Sequence, residues 1–129
     1  ADFIGTMNFL PAQIKSEGGG KVEIEAHGFG QLTLNADQVS GANAEGASIG
    51  FRPETLTILF EGQTAADRES MGTVEEVVYY GDMTYYDVRL DGTDAPMRLS
   101  MRNIPGRPVL DIKERARVAW SPSAMVLFR

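Results

Sequence analysis

Between Gly72 and Leu90 the chain reads GTVEEVVYYGDMTYYDVRL, two runs dense in Val, Tyr and Thr separated by Gly81-Asp82-Met83. β-Branched and aromatic side chains fit a pleated, half-buried surface, so each run predicts a strand and the break between them a tight reversal. Thr84, Tyr86, Val88 and Leu90 fall on one face, and Tyr85, Asp87 and Arg89 on the other. That is the alternation of a sheet with one wet side. No long segment of the chain repeats at the helical period, so strands and turns must carry the fold. The stretch is expected to be the central hairpin of a small β-barrel.

Further strands are predicted in order along the chain. Phe3–Ile14 is apolar, with Gly5 offering a bend and Pro11 limiting later pairing. Ser16-Glu17-Gly18-Gly19-Gly20 reads as a flexible turn into the alternating run Lys21–Glu25. Gly28-Phe29-Gly30 marks a second sharp turn before Gln31–Leu34. Asn35–Gly46 reads as a loop with one helical turn near Asp37-Gln38-Val39. Ala47–Phe51 and Leu56–Phe60 flank Arg52-Pro53-Glu54; Met97, Leu99 and Met101 alternate with Arg98, Ser100 and Arg102. Asn103–Asp111, broken by Pro105, Gly106 and Pro108, predicts an exposed loop. Ala116–Trp120 and Ala124–Phe128 supply the last strands.

IGFRPETLTIL (Ile49–Leu59) aligns without gaps on VAWSPSAMVLF (Val118–Phe128), placing Phe51 against Trp120, Pro53 against Pro122 and Ile58 against Leu127. A strand ending on an aromatic, a Pro corner and a second strand thus occur twice. The chain is therefore expected to be all-β, built from two similar β-rich halves of about five strands, a number typical of a closed barrel. The polar run Thr64–Ser70 sits between them. Residues 1–63 form the expected first half, 64–71 a linker and 72–129 the second half, with packing of the two as one unit left open by the sequence.

Length and charge narrow the function classes. A chain of 129 residues holds one ordinary domain or two very small ones. Eighteen acids against twelve bases, a formal charge of −6, repel phosphate backbones and anionic lipid, so no nucleic-acid partner is expected. No cysteine is present, which removes disulfides and thiolate metal sites. The run of residues from Ala1, without an initiator Met, reads as a fragment or an engineered piece.

The chemistry of a catalyst is missing at each place it could start. Gly18-Gly19-Gly20-Lys21 lacks the earlier glycine and the Ser/Thr of a phosphate loop, having Lys15 and Val22 in those places. Gly28-x-Gly30 lacks the third glycine and the following helix of a dinucleotide site. His27, the single histidine, has no ligand set at metal spacing and no Ser/Asp partners for a triad. No catalytic residue, metal or cofactor is expected, and the chain alone is expected not to bind or hydrolyse ATP. Carboxylates do cluster with tyrosines: Glu75, Glu76, Asp82 and Asp87 lie among Tyr79, Tyr80, Tyr85 and Tyr86. Aromatic faces with carboxylates suit an organic ammonium ion, so Tyr79, Tyr85, Glu76 and Asp87 form a candidate polyamine site. The competing reading is that tyrosines favour strands and carboxylates favour a wet face.

FIGTMNFLPA, FRPETLTI, YYGDMTYYDVRL and WSPSAMVLF together resemble the C-terminal TOBE region of ATP-binding subunits of bacterial ABC importers, closest to the putrescine/spermidine type. The resemblance covers essentially the whole chain and implies OB-like barrels. Arg52-Pro53-Glu54 matches the family's Arg-Pro-Glu corner and Gly81-Asp82 its hairpin turn, both structural positions. The resemblance further implies a preceding ATPase domain, which would hold ATP and Mg. A second subunit copy, a membrane permease and a cytoplasmic place at the inner membrane follow from the same likeness. The function it implies is regulatory and dimer-stabilising. The alternative is a small-ligand sensor for a polyamine or an oxyanion such as molybdate, although no evident anion nest stands out in this acidic chain.

Overall fold

A computed structural model describes residues 7–41 and 46–129. Among these described residues are twelve strands and three single-turn 3₁₀ segments. The strands are β1 (Asn8–Pro11), β2 (Gln13–Gly18), β3 (Lys21–Ala26), β4 (Gly30–Asn35), β5 (Val39–Ser40) and β6 (Ser48–Phe51), followed by β7 (Thr57–Leu59), β8 (Arg68–Tyr80), β9 (Met83–Leu90), β10 (Met97–Arg102), β11 (Arg115–Trp120) and β12 (Val126–Phe128). The expected strand over Phe3–Thr6 and part of the loop before Gly46 lie outside the described residues. No helix among the described residues is long and apolar enough to cross a membrane.

The second half forms one curled sheet in the order β10-β9-β8-β11-β7. The first half repeats it as β4-β3-β2 joined through Ala12 to β1-β6-β12, with β5 added beyond β12. Register makes the repeat concrete. Ile49 faces Leu127 where β6 meets β12, and Val118 faces Ile58 where β11 meets β7. These are the same two positions of the sequence repeat with the halves exchanged, so each half is completed by the last strand of the other. β2 bulges against β3 between Ile14 and Ser16, and β8 bulges against β9 between Val74 and Glu76. The repeat therefore extends well beyond the eleven aligned residues.

Both Pro corners are 3₁₀ turns with Pro at the first position, Pro53–Thr55 and Pro122–Ala124. Proline presets φ there and gives up an amide that would have no partner. In the first, the Thr55 amide and hydroxyl both donate to the Arg52 carbonyl, at 3.0 and 2.6 Å. In the second, Ser121 accepts from the Ser123 amide and donates to Asp67. Pro53 is buried while Arg52 and Glu54 are exposed, so the first corner is held by apolar packing and a backbone turn.

The core is continuous across the halves, running from Val22, Ile24, Leu32 and Leu34 to Tyr86, Val88, Leu99 and Val118. Phe29 packs edge-on against both Phe51 and Trp120, the aromatic pair of the repeat, at 5.3 and 4.6 Å between centroids. Trp120 Nε1 donates to Ser70 Oγ (2.9 Å), which donates to the Gly28 carbonyl (2.7 Å). That relay keeps the polar atoms of the seam satisfied.

Three sequence expectations change. The turn placed at Ser16–Gly20 is only Gly19-Gly20, with φ of 61° and 78°, the two left-handed positions a tight I′ hairpin needs; Ser16, Glu17 and Gly18 belong to β2. The linker placed at 64–71 ends at Asp67, because Arg68–Met71 pair with β11 as the start of β8. Their polar side chains alternate on a sheet that turns one face to solvent, which hid the strand. Tyr85, assigned to the wet side, is only 4% exposed. The outer face of the hairpin is itself covered at that point.

Candidate functional site

The register of the central hairpin decides which nominated residues can act together. Tyr79 stands opposite Thr84, on the inward face with Tyr86. Glu76 stands opposite Asp87 and Val78 opposite Tyr85, on the outward face. The structure thus separates Tyr79 from Tyr85, Glu76 and Asp87 by the thickness of the sheet. Asp87 is also engaged, receiving both Arg98 Nε (2.9 Å) and Arg98 Nη2 (3.2 Å) from β10. Such a bidentate pair fills the carboxylate acceptor sites a cation would use. Glu75 is paired with Arg89 in the same way of occupation. With Tyr85 buried, the exposed tyrosines are Tyr79 and Tyr80 at the tip, 64% and 63% exposed and on opposite faces. The four residues do not enclose an ammonium ion.

Gly81-Asp82 is the two-residue loop of this hairpin. Gly81 has φ 63°, as the first position of a II′ turn requires. The Asp82 carbonyl accepts from the Asn103 amide at 2.7 Å and its carboxylate pairs with Arg102 at 3.3 Å. Both contacts tie the hairpin tip to the end of β10.

Beneath that tip lies a hollow of about 200 Å³ between the inward face of the hairpin and the loop after β10. Tyr79, Met101, Ile104 and Val109 supply apolar walls, and Arg102 and Arg107 supply charge. Arg107 donates to the Arg102 carbonyl at 2.8 Å, leaving its charge without a carboxylate in that contact. Thr84 Oγ1 donates to Asn103 Oδ1 at 2.5 Å, and the Leu110 amide donates to the Tyr86 hydroxyl at 3.3 Å. Burial pushes the Tyr86 phenol above its ordinary value, so it stays protonated. With Arg102 paired to Asp82, Arg107 gives the hollow its positive charge, and this partly apolar hollow suits an anion or an apolar side chain better than a polyamine.

The remaining nominated features lie at turns. Gly18 ends β2 and Gly19-Gly20 make the β2–β3 turn. Gly28, at φ 86°, sits where a β-carbon would come within 2.7 Å of Thr93 Cγ2, so it lets two turns approach closely. His27 is exposed and borders a small hollow with Gln13 and Glu25. Among the described residues no three of His, Asp and Glu gather as metal ligands.

Sequence reasoning missed an apolar surface. Eight large hydrophobic residues are exposed among the described residues, and six of them are Val78, Tyr79 and Tyr80 at the hairpin tip with Ile104, Val109 and Ile112 in the following loop. The signal was present in IPGRPVLDI, where proline and glycine forbid the strand that would have buried those side chains. Of these, Tyr79, Ile104 and Val109 share the hollow under the tip, and exposed apolar side chains gathered so are typical of contact or ligand surfaces.

A five-stranded antiparallel sheet and its repeat, split into a three- and a four-stranded piece, exchange their final strands and define the molecule as an all-β protein of two OB-like halves. The chain belongs to the TOBE domain family, whose sequence pattern matches residues 49–128. It is 30% identical over 132 residues to the spermidine/putrescine import ATP-binding protein PotA of Pseudomonas aeruginosa (strain UCBPP-PA14), covering 100% of this chain and 36% of that protein. It is 28% identical to PotA 2 of P. aeruginosa PAO1, again over 100% of this chain and 36% of the relative. The PotA of Mesorhizobium japonicum is 34% identical over 96 residues, covering 74% of this chain and 24% of that protein. The chain thus spans little more than a third of the length of the relatives it matches across its whole length. Among solved structures it is similar to the cytoplasmic molybdate-binding protein ModG with molybdate bound, at a TM-score of 0.67 and 14% identity, covering 96% of each chain. At that identity the likeness is one of fold.

Proposed function

We propose that this chain is the non-catalytic, C-terminal regulatory and dimer-stabilising domain of the ATP-binding subunit of an ABC importer, with a parent of the polyamine type. The observation that carries it is the alignment of the entire chain with about a third of spermidine/putrescine import ATP-binding proteins. In this reading ATP and Mg belong to a separate ATPase domain, the permease is reached through the whole subunit, and the assembly sits at the cytoplasmic face of the inner membrane. The apolar tip and loop supply the contact surface. The test is sedimentation of the chain over a concentration series, with spermidine, putrescine and molybdate added in turn. Concentration-dependent dimerisation indifferent to all three is the expected result. A strict monomer that binds one of them at micromolar concentration would overturn the assembly reading.

One observation favours a second reading, that of an oxyanion sensor. Arg107 lines the hollow beside Arg102, which is paired with Asp82, and no carboxylate is among the lining residues. The polyamine version of the sensor has no comparable support, since Asp87 is held by Arg98 and Tyr85 is buried. Molybdate binding abolished by Arg107→Ala, with the fold intact, would put this second reading first.

A further inference from the structure

The outer half of β8 is an open strand edge. β11 follows β8 only as far as Thr73, which faces Arg115. The last bonds run from the Val74 amide to the Glu114 carbonyl (2.9 Å) and from the Lys113 amide to the Val74 carbonyl (2.7 Å). Lys113, at φ 78°, then turns the chain away. From Glu76 to Tyr80 the strand is paired with β9 alone. The pair that closes a two-residue hairpin loop, here Tyr80 with Met83, is a hydrogen-bonded one, and hydrogen-bonded and non-hydrogen-bonded pairs alternate along the ladder. The backbone groups of Val77 and Tyr79 therefore point to the open side. Proteins blunt such edges with proline, lysine or a cover; the sequence VVYY carries neither residue, and Val78, Tyr79 and Tyr80 are all exposed.

We propose that this edge pairs with the same edge of a second copy, antiparallel about a two-fold axis at Val78. The proposal rests on the assembly reading above and names its interface. An axis at Val78 sets Val77 of each copy opposite Tyr79 of the other, so every outward-pointing group on the clean part of the strand gains a partner. An axis one residue earlier would run the ladder into the bulge beside Glu75. The side chains fit the Val78 register: on the outward face Val78 meets its own copy and on the inward face Val77 meets Tyr79, so apolar groups leave water on both faces and the edge is self-complementary, as a two-fold dimer requires.

Cysteine scanning tests this cleanly because the chain has no cysteine. Facing residues of a non-hydrogen-bonded antiparallel pair are within disulfide reach, so Val78→Cys is expected to give a disulfide-linked dimer under mild oxidation. Thr57→Cys, exposed on β7, is expected to give no disulfide-linked dimer. Tyr79→Pro deletes an outward amide without touching the β8–β9 ladder and should weaken dimerisation roughly tenfold or more through two lost interchain bonds, whereas Tyr79→Phe should not. If the chain dimerises but Val78→Cys fails to cross-link and Tyr79→Pro dimerises normally, the strand-edge interface is wrong and the assembly reading stands. If the chain is monomeric at every concentration, the assembly reading fails and takes the interface with it. Should Tyr79→Pro lose its fold, the Val78→Cys cross-link decides alone.

Discussion

At Gly72 a hydrogen does what no side chain could. A β-carbon there would lie 2.7 Å from both the Arg89 carbonyl oxygen and Val88 Cγ1. Backbone cannot step aside cheaply, so Gly72→Ala is expected to lose about 1–3 kcal/mol in urea unfolding, the usual cost of overpacking. Gly18→Ala is the control: nothing lies within 4 Å of its added carbon and its φ is not left-handed, so it should be near neutral. Equal stability of the two variants would mean that β8 and β9 part at this point. Surface carboxylates give the residue scale its pH dependence. Hydrogen bonds from Arg129, Arg117 and Arg115 hold Glu17, Glu69 and Asp91 below their ordinary values. A carboxyl depressed in the folded state stabilises fully above its unfolded pKa, and that contribution is lost as pH falls through the folded value. The melting temperature should therefore drop on the acid side, modestly because these pairs are solvated and screened by salt. Asp91→Asn should flatten that acid limb and leave the neutral region unchanged in shape; an acid limb identical to wild type would show that the Arg115 pair contributes nothing. Residue-scale burial was only half legible. Alternation placed Tyr86 and Val88 inward correctly, yet it could not show that Tyr85 is covered from outside.

Strand edges, rather than strand faces, are where the elements depend on single side chains. Asn8 of β1 acts as a piece of strand for β10: its Nδ2 donates to the Arg98 carbonyl at 2.7 Å and its Oδ1 accepts from the Arg98 amide at 2.8 Å. At the equivalent start of β8, Arg68 donates to the Gln31 carbonyl of β4 at 2.9 Å while lying over the Trp120 ring. Each side chain closes the curled sheet of the other half. Asn8→Ala should cost about 1–3 kcal/mol, because it strands a partly buried amide and carbonyl together. Asn8→Asp keeps the acceptor and loses the donor, so it should fall between the two in chemical denaturation. A neutral Asn8→Ala would mean that water replaces the clamp without loss. Most strands were legible from period-two alternation and turn glycines, and the Pro corners stood out by their own chemistry. Beyond the hairpins, which strands pair across the two halves was not, because alternation fixes a face and says nothing of a distant neighbour. Arg68–Met71 read as linker for the same reason, since their neighbour β11 is far along the chain.

For the whole molecule the decisive fact is that neither half owns a complete sheet. β12 closes the first half through Ile49–Leu127, and β7 closes the second through Val118–Ile58. The recurrence of Ile49–Leu59 at Val118–Phe128 was visible as sequence, but the exchange was not. Two halves that each kept their own last strand would show the same repeat. Exchange has a thermodynamic consequence: opening one half strips a strand from the other and exposes the Phe29–Trp120 contact between them. Unfolding should therefore be a single cooperative transition despite the two-part sequence. Ile24 and Val88 occupy equivalent places in β3 and β9, opposite Ile14 and Val74 respectively, and both are fully buried. Their amides should exchange with solvent deuterium at the same opening free energy, and that energy should match the value from denaturant unfolding followed by Trp120 fluorescence. Earlier exchange of Ile24, with Val88 still protected and Trp120 still quenched in its native environment, would show the second half standing alone. The exchanged strands would then be a packing detail, and any ligand or partner that bound one half could not be felt by the other through stability. Equal exchange carries the opposite implication: whatever docks on the β8 tip of the second half also stabilises the first.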